Sequence, residues 1–254
     1  MKEQWRLLQT GFDTAFSNMA IDQAILTEVS KGDAPPTVRF YGWMPPAISI
    51  GYFQSLTDEV DITACERFGV DYVRRVTGGG AVFHEKELTY SIVIPEAHPE
   101  IPKNIMKSYG RICGALMRGL HHLGIESEYA PINDIVAGGR KISGNAQTRK
   151  LQTVLQHGTI LLDVDVNKMF SLLKVPNEKI KDKLIADVKQ RVTSVKHLLG
   201  RDVGFQHVSQ VMIQGFEEEF QVKLNQGKLS KHEVLLTKKF EKECFASMVW
   251  NHRR

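Results

Sequence analysis

The chain has 254 residues, 42% of them hydrophobic and 24% charged, which carries one large domain, or one with a small appendage, and excludes a disordered chain. A formal net charge of +4 and a pI of about 8.9 suit an anionic ligand or an acidic partner and fall short of a nucleic-acid-binding signature. No basic-then-apolar start reads as a signal peptide, no run approaches the ~20 apolar residues that span a bilayer, and three scattered cysteines without CxxC spacing read as reduced thiols, so a cytoplasmic protein engaging neither membrane nor nucleic acid is expected.

In chain order, "WRLLQT" predicts a strand, and Ala15 to Ser30 a helix with Gly32 as its stop signal. "PTVRFYGW" and "AISIGYF" are β-rich runs separated by the turn-forming pair Pro45-Pro46. A short helix around Asp61 to Phe68 leads to "VDYVRRV", then three consecutive glycines, then the strand "LTYSIVI". Between Pro102 and Leu123, Ile105, Tyr109, Ile112, Cys113, Leu116, Leu120 and Leu123 recur at helical spacing, and Gly124 closes the segment. "NDIVAGGRKISGNAQTR" predicts a hairpin turning at Gly138-Gly139, and "TVLQHGTILLDVD" a further strand. After Val166 the pattern turns helical and charged, through "NKMFSLLK", "NEKIKDKLIADVKQR", "VSQVMIQGFEEEF" and "HEVLLTKKFEKECF". The expectation is a single domain over 1–254 of the α/β (α+β) class, with a mixed central β-sheet flanked by helices and a mostly helical portion over about 168–254.

Two stretches carry chemistry. In "RRVTGGGAVFH", successive glycines permit unusual backbone angles and let amide N–H groups approach a phosphate or carboxylate closely. The bland alternative is a flexible hairpin loop, since the stretch is neither a P-loop nor a dinucleotide fingerprint. Arg74 and Arg75 point to opposite sides of a strand, so only one faces a ligand there. In "NDIVAGGRKISGNAQ", Lys141 follows a tight turn beside a run of small residues; it projects into a cleft or is a solvated surface charge.

Together these two stretches resemble the lipoate–protein ligase family, within the group that includes biotin ligases and octanoyltransferases. "MAIDQAI", "VRFYGW", "SIGYFQ", "LQHGTILLDVD", "KVPNEKIKDK" and "ASMVWN" follow in the expected order. The resemblance implies a biotin/lipoate ligase-like catalytic domain that activates lipoate with ATP and Mg2+ to lipoyl-AMP and passes the lipoyl group to a lysine of an acidic lipoyl carrier domain. It assigns adenylate contact to Arg75, the nucleotide site to Gly78, Gly79, Gly80, Ala81, Val82 and Phe83, and to Lys141 the catalytic contact with acyl carbonyl and phosphate. The chemistry asks for such residues, because a carboxylate attacking a phosphate brings two anions together and a fixed ammonium offsets the repulsion. Asn133 and Asp134 stand where a magnesium–phosphate contact forms, Asp134 as the oxygen ligand, or serve only the turn. Tyr41, Val76, His84 and Gly144 are candidates for the lipoyl pocket, and for His84 and His157 a structural hydrogen bond competes with a role as base.

One departure bears on mechanism. After the motif histidine the ligases carry a Gly-Asn pair, whereas this chain reads "HEKELTYS", which resembles the octanoyltransferases. Those enzymes move octanoyl from acyl carrier protein without ATP, through a thioester on cysteine. Neither "GIESEYAPINDIVAGG" nor "SGNAQTRKLQTVLQHG" contains a cysteine; Cys113 reads as core, and Cys65 and Cys244 lie in other helices. The adenylating ligase is therefore the expected activity, with a separate small accessory subunit supplying the missing adenylation segment, and octanoyl transfer is the alternative. A non-catalytic binder of the same fold has no need of Lys141.

Overall fold

The computed structural model describes residues 2–174 and 181–253; the start of the predicted helix, "NEKI", lies outside them. Eleven strands form among the described residues: β1 (Gln4–Asp13), β2 (Thr37–Trp43), β3 (Ala47–Ile50), β4 (Asp71–Arg74), β5 (Val82–His84), β6 (Glu87–Pro95), β7 (Glu128–Ala130), β8 (Asp134–Ala137), β9 (Arg140–Lys150), β10 (Thr153–Leu161) and β11 (Lys223–Gln226). Eight make a mixed sheet in the order β11-β1-β2-β6-β10-β9-β8-β7, and β4-β3-β5 make a second, small one. The chain is thus a mixed α/β protein whose large sheet is flanked by helices. Two details differ from the sequence reading. The small sheet is separate from the central one, and the helical C-terminal portion returns a strand, β11, parallel to the edge strand β1. Only Leu224 of β11 is buried, so no apolar alternation marked it.

Alternation along β2 and β6 divides the side chains between two layers. Val38, Phe40, Leu88, Tyr90, Ile92 and Ile94 face a core shared with helices Ile105–His122 and Phe205–Phe220. Those two helices meet where a Cβ on Gly215 would lie 2.2 Å from the carbonyl oxygen of Ala115, so only glycine allows that approach. Tyr41, Trp43 and Val93 face the other way, onto helix Ala15–Lys31. That helix begins at Thr14, whose side chain accepts from the Ser17 amide, and stops at Gly32 with φ +79°. Each large aliphatic or aromatic side chain buried in these layers contributes about 1.5–3 kcal/mol.

The small sheet packs Ile48 and Ile50 onto Leu56, Val60, Ala64 and Cys65 in a third core. Ser49, between the two isoleucines, points the opposite way, toward the large sheet. Arg74 fixes this roof: its fully buried guanidinium donates to the carbonyls of Gly51, Tyr52, Gln54, Trp250 and Asn251. Among the described residues no helix is long and apolar enough to cross a membrane.

Candidate functional site

Between the two sheets lies a cavity of about 160 Å³. The large sheet contributes Tyr41, Trp43, Thr89, Gly144, Asn145, His157 and Gly158; the small sheet and its loops contribute Ser49, Arg75, Gly79, Gly80, Ala81, Val82 and His84; Asn133 and Lys141 stand at its side. Arg75, Gly79, Gly80, Ala81, Val82, Asn133, Lys141, Tyr41, His84 and Gly144, all singled out from sequence, therefore line one space. Gly78, Phe83, Val76 and Asp134 do not. Phe83 sits on the far face of β5 against the third core, and Val76 belongs to the core under helix Ala15–Lys31. Gly78 offers its carbonyl to Arg75, and Asp134 pairs with Lys141.

Arg75, rather than Arg74, faces the cavity. A guanidinium has five N–H donors, and all five are engaged within the protein. Nη2 donates to the carbonyls of Gly78 and Gly80, each at 2.8 Å. Nη1 donates to Ser49 O at 3.0 Å and Ser49 Oγ at 3.1 Å, and Nε donates to Thr77 Oγ1 at 3.2 Å. Arg75 thus shapes the glycine loop and gives the cavity a buried positive charge, where burial lowers its pKa to about 10. Of the three glycines, Gly79 is the one the backbone demands, with φ +95°. The loop closes on Gly51, where a Cβ would lie 2.0 Å from Gly79 O. Gly78 and Gly80 face open space.

On the opposite wall, Lys141 Nζ lies 2.7 Å from Asp134 Oδ1 with the lysine side chain 40% exposed. Such a pair contributes little to stability but sets where the ammonium sits. Gly144 makes room for it, since a Cβ there would meet Nζ at 2.8 Å. Asn133 Nδ2 and O bind the backbone and side chain of Asn145, which locks β8 to β9 at the cavity wall. Gly158 is required by the same strands: a Cβ on it would lie 2.3 Å from Asn145 Oδ1.

Both motif histidines belong to hydroxyl–imidazole–carboxylate chains. Ser49 Oγ lies 2.8 Å from His84 Nε2, and His84 Nδ1 is hydrogen-bonded to Glu87 Oε1. The His84 ring stacks on Trp43 at 4.0 Å between centroids. Thr77 Oγ1 lies 2.7 Å from His157 Nε2, and His157 Nδ1 stands 3.4 Å from Asp22 Oδ2. Asp22 also accepts from Arg39 at 2.8 Å, from Ser91 and from Tyr41. Burial acts to raise the Asp22 carboxyl, yet Arg39 and His157 outweigh it and hold it below the ordinary carboxylate range. Burial lowers the His157 ring pKa and drives the Tyr41 phenol well above its usual value, so both enter the network neutral. Ser49, Trp43, Thr77, Glu87 and Asp22 escaped the sequence reading; for Ser49, Glu87 and Asp22 the only signal was a polar residue at an inward position of a strand or helix.

None of the three cysteines lines the cavity. Burial pushes the thiols of Cys65, in the third core, and Cys113, in the sheet–helix core, up to about 12, and that of Cys244 up to about 11. Thiols so placed are inert at neutral pH. Asp134, the expected magnesium ligand, is engaged by Lys141, and among the described residues no group of three or more His, Cys, Asp or Glu side chains is disposed to hold a metal.

Comparison with known proteins bears on this geometry. The family model of the lipoyl protein ligase A/B catalytic domain matches residues 14–217. Octanoyltransferase LipM of Geobacillus kaustophilus (strain HTA426) is 37% identical over 100% of this chain and 99% of its own length. That of Bacillus subtilis (strain 168) is 33% identical with the same coverage. Among solved structures, a chain from the bi-partite lipoate protein ligase and E2 lipoyl domain study of Thermoplasma acidophilum superposes with a TM-score of 0.90 at 28% identity, covering 98% of this chain and 96% of that one.

Proposed function

The chain belongs to the lipoyl protein ligase A/B catalytic domain family, and from that premise we propose that it acts, as one catalytic unit, as an octanoyltransferase. In this reading it moves an octanoyl group from the thioester of an acyl carrier protein to a lysine amine of a lipoyl carrier domain. The observation that carries the reading is the full-length relationship to octanoyltransferases at 33–37% identity. The same relationship corrects the ATP-dependent ligase expected from the motifs. With that activity go ATP, Mg2+ and lipoyl-AMP as requirements, and an accessory adenylation subunit has no step to serve.

The cavity supports acyl transfer. Met19, Tyr41, Trp43 and Val82 give it apolar wall for an alkyl chain. The Lys141 ammonium supplies a positive charge, positioned by Asp134, for the carbonyl oxygen as it gains negative charge in the tetrahedral transition state, and Arg75 adds a further charge, this one buried, behind the loop. The chain's net charge of +4 favours encounter with acidic carriers.

The test is intact-mass analysis of a lipoyl domain incubated with the protein and either octanoyl-acyl carrier protein or octanoate with magnesium-ATP. Octanoylation from the acyl carrier protein alone is expected. Modification only in the presence of ATP would overturn the reading.

A further inference from the structure

We propose that Ser49 carries the acyl group between the two carriers as an octanoyl ester, with His84 as its base and Glu87 as the group that orients His84. This rests on the octanoyltransferase reading and supplies what that reading lacks: the cavity needs a nucleophile, and no cysteine reaches it.

The geometry is that of an activated hydroxyl. Ser49 is only 2% exposed to bulk water yet lines the cavity, as does His84. With Nδ1–H of His84 donated to Glu87 Oε1, Nε2 is left 2.8 Å from Ser49 Oγ to accept its proton. Glu87 is itself held: its Oε2 accepts from the Glu85 amide at 3.0 Å, and its Oε1 accepts from Thr89 Oγ1 at 3.2 Å. Thr89 in turn accepts from Trp43 Nε1 at 2.8 Å, and the Trp43 indole stacks on the imidazole and fixes its plane. On the other side of Ser49, Arg75 Nη1 donates to Oγ at 3.1 Å, where it favours the negative charge that develops as the proton leaves.

The second relay does not compete. Thr77 is not part of the cavity lining, His157 stands at a longer 3.4 Å from its carboxylate, and that carboxylate already serves Arg39.

The steps balance. Ser49 Oγ attacks the thioester carbonyl carbon while its proton passes to His84 Nε2. The C–S bond then breaks, and the sulfur leaves with that proton as the carrier's free thiol. The acceptor lysine, entering as a neutral amine, attacks the carbonyl of the Ser49 ester and gives a proton to His84 Nε2. The C–O bond breaks, the serine oxygen recovers the proton, and the amide departs on the acceptor. An enclosed ester is shielded from water between the two encounters.

The experiment uses the full chain with octanoyl-acyl carrier protein, first without and then with lipoyl domain, read by intact mass and peptide mapping. The expected result is a single octanoyl adduct on the peptide containing Ser49, retained when all three cysteines are replaced by alanine. Ser49→Ala should lose the adduct and lower acceptor modification by roughly 10³-fold or more, with an unchanged thermal midpoint. Ser49→Cys should form an adduct that neutral hydroxylamine discharges, as a thioester is, and it carries the test if Ser49→Ala does not fold. An adduct that persists in Ser49→Ala, or acceptor modification by the unaltered protein without an adduct and with sequential kinetics, overturns Ser49 while leaving octanoyl transfer intact. Absence of both adduct and acceptor modification overturns the two together.

Discussion

Lys141 holds its ammonium 2.7 Å from Asp134 Oδ1 across the turn at Gly138-Gly139. The lysine reaches the cavity wall from a strand, and the carboxylate steers it from the strand alongside. In the sequence it was the resemblance to the ligase family that singled out the lysine; the carboxylate explains its position.

In the proposed transfer, replacing Lys141 with alanine removes the single preorganised charge offered to the acyl carbonyl. Acyl transfer should fall by about 10²–10³-fold, mainly in kcat, with the fold and thermal midpoint retained because the side chain is partly exposed. Steady-state kinetics with both carriers varied would check this, and near-native turnover would remove the lysine from the mechanism.

Gly144→Ala tests the same position without touching the charge. The added methyl meets the end of the Lys141 side chain at 2.8 Å, a flexible group that moves aside at little cost in stability. A displaced ammonium should lower turnover by about 10–10²-fold while circular dichroism and melting stay as they were.

Replacing all three cysteines by alanine should leave transfer per folded molecule unchanged, since none lines the cavity and the thiols sit near 11 to 12. The substitution at the fully buried Cys113 should lower unfolding free energy by about 1 kcal/mol through the void it leaves. Denaturant titration alongside the assay separates the two effects.

Asp22→Ala strands Arg39, whose side chain is fully buried with the carboxylate 2.8 Å away. Loss of one partner of such a pair costs about 3–5 kcal/mol, readable as a shifted urea midpoint.

Acidification should destabilise the protein before its carboxylates titrate. Burial holds the folded-state pKa of His157 below 6.5, so the unfolded chain takes up that proton first. The stability of the neutral ring is fully present above 6.5 and is lost as pH falls below it toward the folded value. Melting temperatures between about pH 8 and pH 5 should decline, and less steeply in His157→Gln.

Much of the fold was legible because its periodicities are strong. The helix expected between Pro102 and Leu123 runs Ile105–His122, and the hairpin turns at Gly138-Gly139, both with positive φ. The cavity lining was legible where glycine or a basic residue marked it, at Gly79, Arg75 and Lys141. Ser49 was not, because one serine among the apolar residues of "AISI" looks like any residue of a buried strand. Its partner His84 lies thirty-five positions on, and only the antiparallel pairing of β3 with β5 brings them together. The lack of a well-placed cysteine pointed to the ligase in the sequence, and the full-length relationship to octanoyltransferases overturns that expectation.

Arg74 and Arg75 stand side by side in sequence and look in opposite directions. The Arg74 amide donates to Asn251 Oδ1 at 2.7 Å, and its carbonyl accepts from Trp250 Nε1 at 2.8 Å, while Arg75 holds the glycine loop from within. One peptide unit therefore joins the clasp on the C-terminal helix Met248–Asn251 to the grip on the loop. The C-terminal helix and the glycine loop at the cavity roof thus share a single point of attachment in the chain.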